Sequence, residues 1–293
     1  MRALTTNYRI LTDATADLLP EVAREVDMIP MQLAIGGESL CYAGDWDAAR
    51  RHAFYERLRA GDMPSTSQIT PFAYEAAFSA PLSEGEDALY LCFSSGLSDT
   101  IASAQLALSE VKARFPERKF ELIDTLSATY PQGMLVAEAV KNRARGMTLE
   151  ENCAWILAHL QKIACWFTVS DLLYLRRGGR IPAATALLGT TLRIMPILHI
   201  DQAGKLPVMD KVRGRKGAMH ALIKKMQQTL VDPAHQRVCV GHADSPEEAQ
   251  ALAEQVKSAF PALEDVFVGE ISPIIGAHTG PGALCVVYFS DAR

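Results

Sequence analysis

The sequence predicts two α/β domains: an N-terminal one with a parallel, Rossmann-like sheet, and a C-terminal one of mixed α+β type. Three observations carry this. The 293 residues are 49% hydrophobic and 22% charged, enough chain to bury two cores of ordinary size. Through the first half, strand-like apolar runs alternate with helix-period segments, the pattern of parallel strands joined by right-handed crossovers. After Cys165 the texture changes to hairpin and β-α-β spacing in mixture, so domains at 1–164 and 165–293 are expected.

In order, Tyr8–Leu11 reads as the first strand, and Asp17 as the N-cap of a helix with Pro20 and Glu21 in its first turn. Met28–Ala34 is a second strand before the turn Gly36-Gly37, while Tyr42–Asp47 carries no clear pattern. A charged amphipathic helix at Ala48–Ala60 stops at Gly61. Thr70 followed by Pro71 is a helix start, N-cap then N1, for the helix holding Phe72–Phe78. Ala88–Phe93 is a strand that enters the hydroxyl-rich turn Ser94-Ser95-Gly96-Leu97-Ser98, and a helix follows from about Thr100 to Arg114. Phe120–Ile123 is another strand, with a helix from Gln132 to Arg145 stopped by Gly146. Thr148 with Glu151 forms a capping box for the helix running to about Gln161.

In the second half, Cys165–Val169 is a strand, and Ser170 or Asp171 caps a short helix, LLYLRR, ended by Gly178-Gly179. The nearly uncharged Ala183–Leu192 is either an ordinary core helix or the lining of an apolar cavity. Strands at Ile197–Ile200 and Leu206–Met209 flank a hairpin loop, and the basic cluster Lys211–Lys216 leads into a helix from about Gly217 to Leu230. Arg237–Val240 and Val266–Val268 are strands around a helix at Glu247–Phe260, and Ala283–Phe289 is the last strand, after a loop holding His278.

Several function classes are excluded. A net charge of −5 and no basic stripe argue against nucleic acid. The N-terminus lacks an apolar signal region, and the most apolar stretch, Ile181–Ile200, contains Arg193 and two prolines, so a soluble, cytoplasmic chain is expected. The six cysteines form no close pair, which speaks against a zinc site or disulfide framework. No Walker loop, GxSxG elbow, GxGxxG turn or HExxH pair is present, and no cofactor or metal is expected.

What remains is a set of hydroxyls, a histidine and glycine-flanked arginines. The strand–turn–helix around Ser94 and Ser95 puts backbone N–H groups and hydroxyls at a helix start, which suits a carboxylate or phosphate. Serines that merely cap the helix are the alternative. Thr66 and Ser67 lie in a loop before the next helix in the same way, so the two loops either share a crevice at the strand C-termini or are unrelated. His278 could serve Ser94 or Ser95 as a base in a hydrolase, although the spacing supports that only by availability. Arg180 and Arg213 are anion ligands or ordinary solvated charges.

Seven stretches, ILTDATADL at 10–18, STSQITP at 65–71, FSSGLSDTIASA at 93–104, ELIDT at 121–125, LRRGGRIPAA at 175–184, KVRGRKGA at 211–218 and HTGPG at 278–282, make the chain resemble the DegV family. That family comprises bacterial lipid-binding proteins, among them the acyl-carrier subunit of fatty acid kinase. The resemblance spans essentially the whole chain. It implies a non-enzymatic carrier in which a long-chain fatty acid is buried in the C-terminal domain, with its carboxylate near the domain junction. Hydroxyls of Thr66 or Ser67 and of Ser94 or Ser95, with His278, would meet the carboxylate. Arg180, Arg213 and Thr279 would serve the head group or the encounter with a kinase subunit. The protein would be no integral membrane protein, and transient membrane contact stays compatible with it. Two positions depart from the family pattern: Asp99 stands where SSGLSGT is usual, and Ala14 where DST is usual.

Overall fold

The computed structural model describes residues 8–183 and 194–293. In chain order the first half forms β1 (Tyr8–Asp13), β2 (Asp27–Ile29), β3 (Met31–Ile35), β4 (Glu38–Tyr42), α1 (Ala48–Arg59), β5 (Ser65–Thr66), α2 (Pro71–Ser83), β6 (Asp87–Cys92), α3 (Thr100–Arg114), β7 (Phe120–Asp124), α4 (Thr129–Ala144) and α5 (Leu149–His159). The second half adds β8 (Ile163–Thr168), α6 (Leu172–Arg177), β9 (Ile194–His199), β10 (Val208–Arg213), α7 (Gly214–Thr229), β11 (Arg237–His242), α8 (Pro246–Ala259), β12 (Asp265–Glu270), α9 (Pro273–Thr279) and β13 (Leu284–Phe289). The chain divides into two compact units, neither continuous in sequence. The first takes the chain up to Leu33 with Ser39–Asp45 and Thr66–Leu160; the second takes Ala34–Glu38, Trp46–Ser65 and everything from Gln161.

The first unit is built on a parallel sheet in the order β2-β1-β6-β7. β1 and β6 are buried along nearly their whole length, as strands covered on both faces must be. The order places the ends of β1, β6 and β7 side by side, so Asp13, Cys92 and Asp124 open onto one set of loops. Helix starts follow the sequence logic. Thr70 accepts from the Ala73 N–H ahead of Pro71, and Thr148 and Glu151 make a reciprocal capping box. Two expectations fail. No helix follows Asp17; residues 19–25 form turns with Val22 N–H on Leu19 O and Glu25 N–H on Val22 O, and the Asp17 carboxylate accepts from the Thr129 hydroxyl instead of capping. The expected strand Met28–Ala34 is two strands, because Pro30 has no N–H with which to continue a ladder.

The second unit carries a mixed six-stranded sheet in the order β10-β9-β8-β13-β11-β12. The expected hairpin is β9–β10, antiparallel from Leu198–Val208 to Ile194–Arg213 and closed by Asp201 N–H on Lys205 O. One face of the sheet, with Trp166, Ile197, Val240, Val286 and Tyr288, packs on Leu222 and Met226 of α7 and Leu252 and Val256 of α8. Helix α1, although early in sequence, belongs to this unit. Tyr55 donates its hydroxyl to Ile271 O at 2.9 Å, and Arg51 pairs with Glu270 at 2.5 Å. His278 lies not in a loop but in the last turn of α9, whose N-cap Ser272 accepts from Ile275. The candidate lining Ala183–Leu192 lies, after its first residue, outside the described residues.

Candidate functional site

In the first unit the turn after β6 is wired tightly. Ser94 N–H donates to Ser127 O (2.9 Å), Ser95 N–H to Asp124 Oδ1 (3.2 Å), Gly96 N–H to Ser94 Oγ (3.1 Å), and Leu97 and Ser98 N–H both to Ser94 O (3.1 Å). The backbone donors expected to await an anion are therefore already spent within the protein. Ser94 is fully buried. The hydroxyls of Ser95 and Ser67 are exposed, with no partner among the described residues, so side chains rather than main chain supply the donors there. Thr66 is half-buried at the end of β5. Asp99 is exposed at the N-cap of α3 and makes no side-chain cap bond.

Beneath that turn lies a group the sequence reading passed over. The fully buried Asp13 carboxylate accepts from Tyr90 OH (2.8 Å) and Phe93 N–H (3.0 Å) on Oδ2, and from Thr15 N–H (3.1 Å) and the Thr15 hydroxyl on Oδ1. Tyr90 continues to Tyr74 (3.0 Å) and Tyr74 to Thr100 (2.9 Å), where α3 begins. Gln132, buried on α4, ties the same cluster to Thr12 and Leu91 O. Asp13 thus joins the ends of β1 and β6 and fixes the residue immediately before Ser94. A polar Gln in the apolar start of a helix and an Asp closing a buried strand were the available signals.

In the second unit the glycines of GGRI and HTGPG have a steric purpose. A methyl group on Gly178 would overlap the His278 ring, and one on Gly280, at φ +71°, would overlap Tyr174, so α6 and α9 approach only because these positions lack a Cβ. His278 is pushed down to about 3, first by burial and second by the nearby positive charge of Arg180. Its ring is neutral at ordinary pH. Burial also lowers the pKa of Arg180. The Arg180 guanidinium donates one N–H to Gly178 O, its Nε is buried without a partner, and no carboxylate among the described residues pairs with it. A partly desolvated cation with no carboxylate partner among the described residues carries a cost that an anionic ligand would offset.

The remaining candidates divide by burial. Arg213, the last residue of β10, is exposed with no ion pair among the described residues. In the same basic cluster Arg215 pairs with Glu248 at 2.7 Å and keeps Nε and Nη1 buried without partners. Thr279 is buried and turns its hydroxyl back to Ile275 O, so it does not offer that proton outward. His52, Glu56 and Asp244 lie close enough to suggest a metal by residue type. Asp244, however, is bonded to His52 (2.8 Å) and to the Arg59 guanidinium, and a bound cation would compete with that arginine. The cluster is an ion-pair clip for α1.

The low pKa of His278 makes a signed prediction. Below about pH 6.5 the unfolded chain takes up a proton on this ring that the folded chain refuses until about 3. The contribution is complete above the unfolded value and lost as pH falls. His278→Gln is expected to flatten the decline of Tm between about pH 6.5 and about pH 4; melts of both proteins across that range check it, and parallel curves overturn it.

No helix of the described residues is long and apolar enough to cross a membrane. A family model described as uncharacterised protein, DegV family, matches residues 7–291. A DegV domain-containing protein of Clostridium perfringens is 34% identical over 287 residues, 98% of each chain. Among solved structures, a DegV lipid-binding protein of Thermotoga maritima is 27% identical with a TM-score of 0.85, covering 98% of this chain and 100% of that one. A DegV family protein of Thermus thermophilus, described for its fatty acid binding, is 28% identical with a TM-score of 0.84, covering 97% and 99%.

Proposed function

We propose that this chain, which belongs to the DegV family, is a carrier that binds a long-chain fatty acid, with the acid's carboxylate at the polar end of its site and the tail in apolar surroundings. The observation that carries the reading is the Arg180 guanidinium, desolvated and without an anionic partner among the described residues, beside a neutral His278. The relatives of Thermus thermophilus and Thermotoga maritima, whose descriptions name fatty acid and lipid binding, support the choice of anion. The proposal assigns the head group to the hydroxyls of Thr66, Ser67, Ser94 and Ser95, to His278 and to Arg180. The part from residue 165 onward is assigned the acyl chain, and residues 1–164 the hydroxyl loops. Each buried methylene adds about 0.8 kcal/mol, which gives the tail most of the affinity and the head group the orientation.

The proposal continues to a separate kinase that phosphorylates the presented carboxylate in the cytoplasm, with exposed Arg213 at the encounter. The serine hydrolase reading is disfavoured by the same histidine: a base of pKa about 3 is a weak proton acceptor at pH 7.

Native mass spectrometry tests the carrier directly. The purified protein is expected to carry a mass of fatty-acid size, or to acquire one from added palmitate. A triple Thr66→Ala, Ser67→Ala, Ser95→Ala variant is expected to lose affinity by roughly 1.5–3 kcal/mol or more, the worth of at least one charge-assisted hydrogen bond. A protein that ignores palmitate sinks the carrier; unchanged affinity in the triple variant sinks only the hydroxyl assignment. Arg213→Ala is expected to keep palmitate affinity and slow kinase-coupled turnover.

A further inference from the structure

The loops that carry the exposed hydroxyls of Ser67 and Ser95, and the loop after β7 that braces Ser95, contain no lysine or arginine. They read STSQITP at 65–71, SSGLSD at 94–99 and DTLSAT at 124–129. Their only charges are two aspartates, Asp99 and Asp124. Asp99 is exposed and makes no side-chain cap bond. Asp124, half-buried at the end of β7, is tied to the site. Its Oδ1 accepts from Leu126 N–H at 2.9 Å and from Ser95 N–H at 3.2 Å. The adjacent Ser94 N–H donates to Ser127 O at 2.9 Å, so the loop after β7 grips the turn after β6 at two successive residues.

Those bonds need an acceptor oxygen but not a charge. The contact from Asp124 to Leu126 N–H is a side-chain turn that asparagine makes as readily as aspartate. An amide oxygen would take the Ser95 N–H equally well. No cationic side chain among the described residues pairs with the carboxylate, and its Oδ2 accepts no hydrogen bond from them. The negative charge is surplus to the turn, and the group it acts on is the one that Ser95 holds. Serine N and Oγ are about 3 Å apart and a hydrogen bond adds about 2.7 Å, which puts an anion on Ser95 Oγ on the order of 7 Å from Asp124. That is inside the Debye length of about 8–10 Å, so the two charges still repel.

We propose that Asp124 sets the charge selectivity of the head-group site, weakening each ligand in proportion to its negative charge. The inference rests on the fatty acid reading and extends it to the product. A carboxylate carries one negative charge. The acyl phosphate formed when a kinase moves a phosphoryl group from its nucleotide onto the carboxylate oxygen carries two. Asp124 repels that product about twice as strongly as the substrate and favours its release. Dodecanol, dodecanoate and dodecyl phosphate share one tail and differ in head-group charge, so they are the probes, titrated calorimetrically into the parent and into Asp124→Asn. The variant is expected to bind dodecanol unchanged, dodecanoate about threefold more tightly and dodecyl phosphate about eightfold more tightly. A merely structural role would move all three affinities together, and equal gains or equal losses overturn the proposal. Should Asp124→Asn not fold, Asp124→Ser, whose hydroxyl can make the same turn without a charge, repeats the comparison. Failure of both variants to fold makes the carboxylate structural and overturns it as well. Binding of none of the probes by the parent removes the carrier reading together with this one, whereas binding with equal gains removes only the role of Asp124.

Discussion

Arg180→Met is expected to bind palmitate about 10- to 100-fold more weakly than the parent, yet to melt at a higher temperature when no ligand is present. The first effect is the loss of a charge-assisted hydrogen bond to the carboxylate, about 1.5–3 kcal/mol. The second follows from what the guanidinium costs. Burial lowers its pKa, Nε has no partner, and no carboxylate of the described residues pairs with it. A methionine of similar reach fills the space without a charge to desolvate. Calorimetric titration and thermal melts on the same preparation separate the outcomes. Falling affinity with falling Tm would make Arg180 a structural residue. Unchanged affinity would remove it from the head group.

Asp13→Asn is expected to lower the melting temperature by about 5–10 °C and to weaken palmitate binding with it. The carboxylate is ringed by donors: Phe93 N–H and Tyr90 OH on one oxygen, Thr15 N–H and its hydroxyl on the other. Tyr90 can turn its proton toward Tyr74. The two main-chain N–H groups cannot turn. Either orientation of the asparagine amide sets its NH₂ against one of them, stranding a buried donor at a cost of about 1–3 kcal/mol, with a further loss at the hydroxyls. Because Phe93 precedes Ser94, the displacement passes into the turn assigned to the head group. An unchanged melting temperature would show that the network tolerates the amide; a large drop in Tm with normal affinity would detach Asp13 from the site.

Local signals proved reliable where they depend on neighbours in sequence. The cap at Thr70, the capping box at Thr148 and the helix Thr100–Arg114 stand where the pattern puts them, because caps and amphipathic periods act over a turn or two. The parallel first sheet and the β9–β10 hairpin follow from the order of strands and helices. The failures are tertiary. Asp17 has the composition of a cap, but Thr129, distant in sequence, takes its carboxylate. β4, ESLCY, is mostly exposed and offers no alternation to detect. At the site, motif and glycine spacing pointed to Arg180 and His278. Nothing local distinguished half-buried Arg180 from exposed Arg213, or revealed that Asp13, Tyr90 and Gln132 form one network.

The membership of α1 in the second unit also bears on how the chain is made. Phe54, Tyr55 and Leu58 are buried, and Tyr55, Arg51 and Arg59 bond to Ile271, Glu270 and Asp244. These partners lie roughly 200 residues downstream, so at about 5–20 residues per second the helix waits roughly 10–40 s on the ribosome for them. During that interval its aromatic face has no native cover from them, while the intervening segment from Thr66 to Leu160 can already condense into the first unit. Synthesis therefore passes through a stage with one half nearly assembled and a charged helix whose Phe54, Tyr55 and Leu58 face is still uncovered, the kind of surface that holdase chaperones recognise. A fragment beginning at Gln161, released from this order of events, would lack α1 altogether and expose the groove it fills.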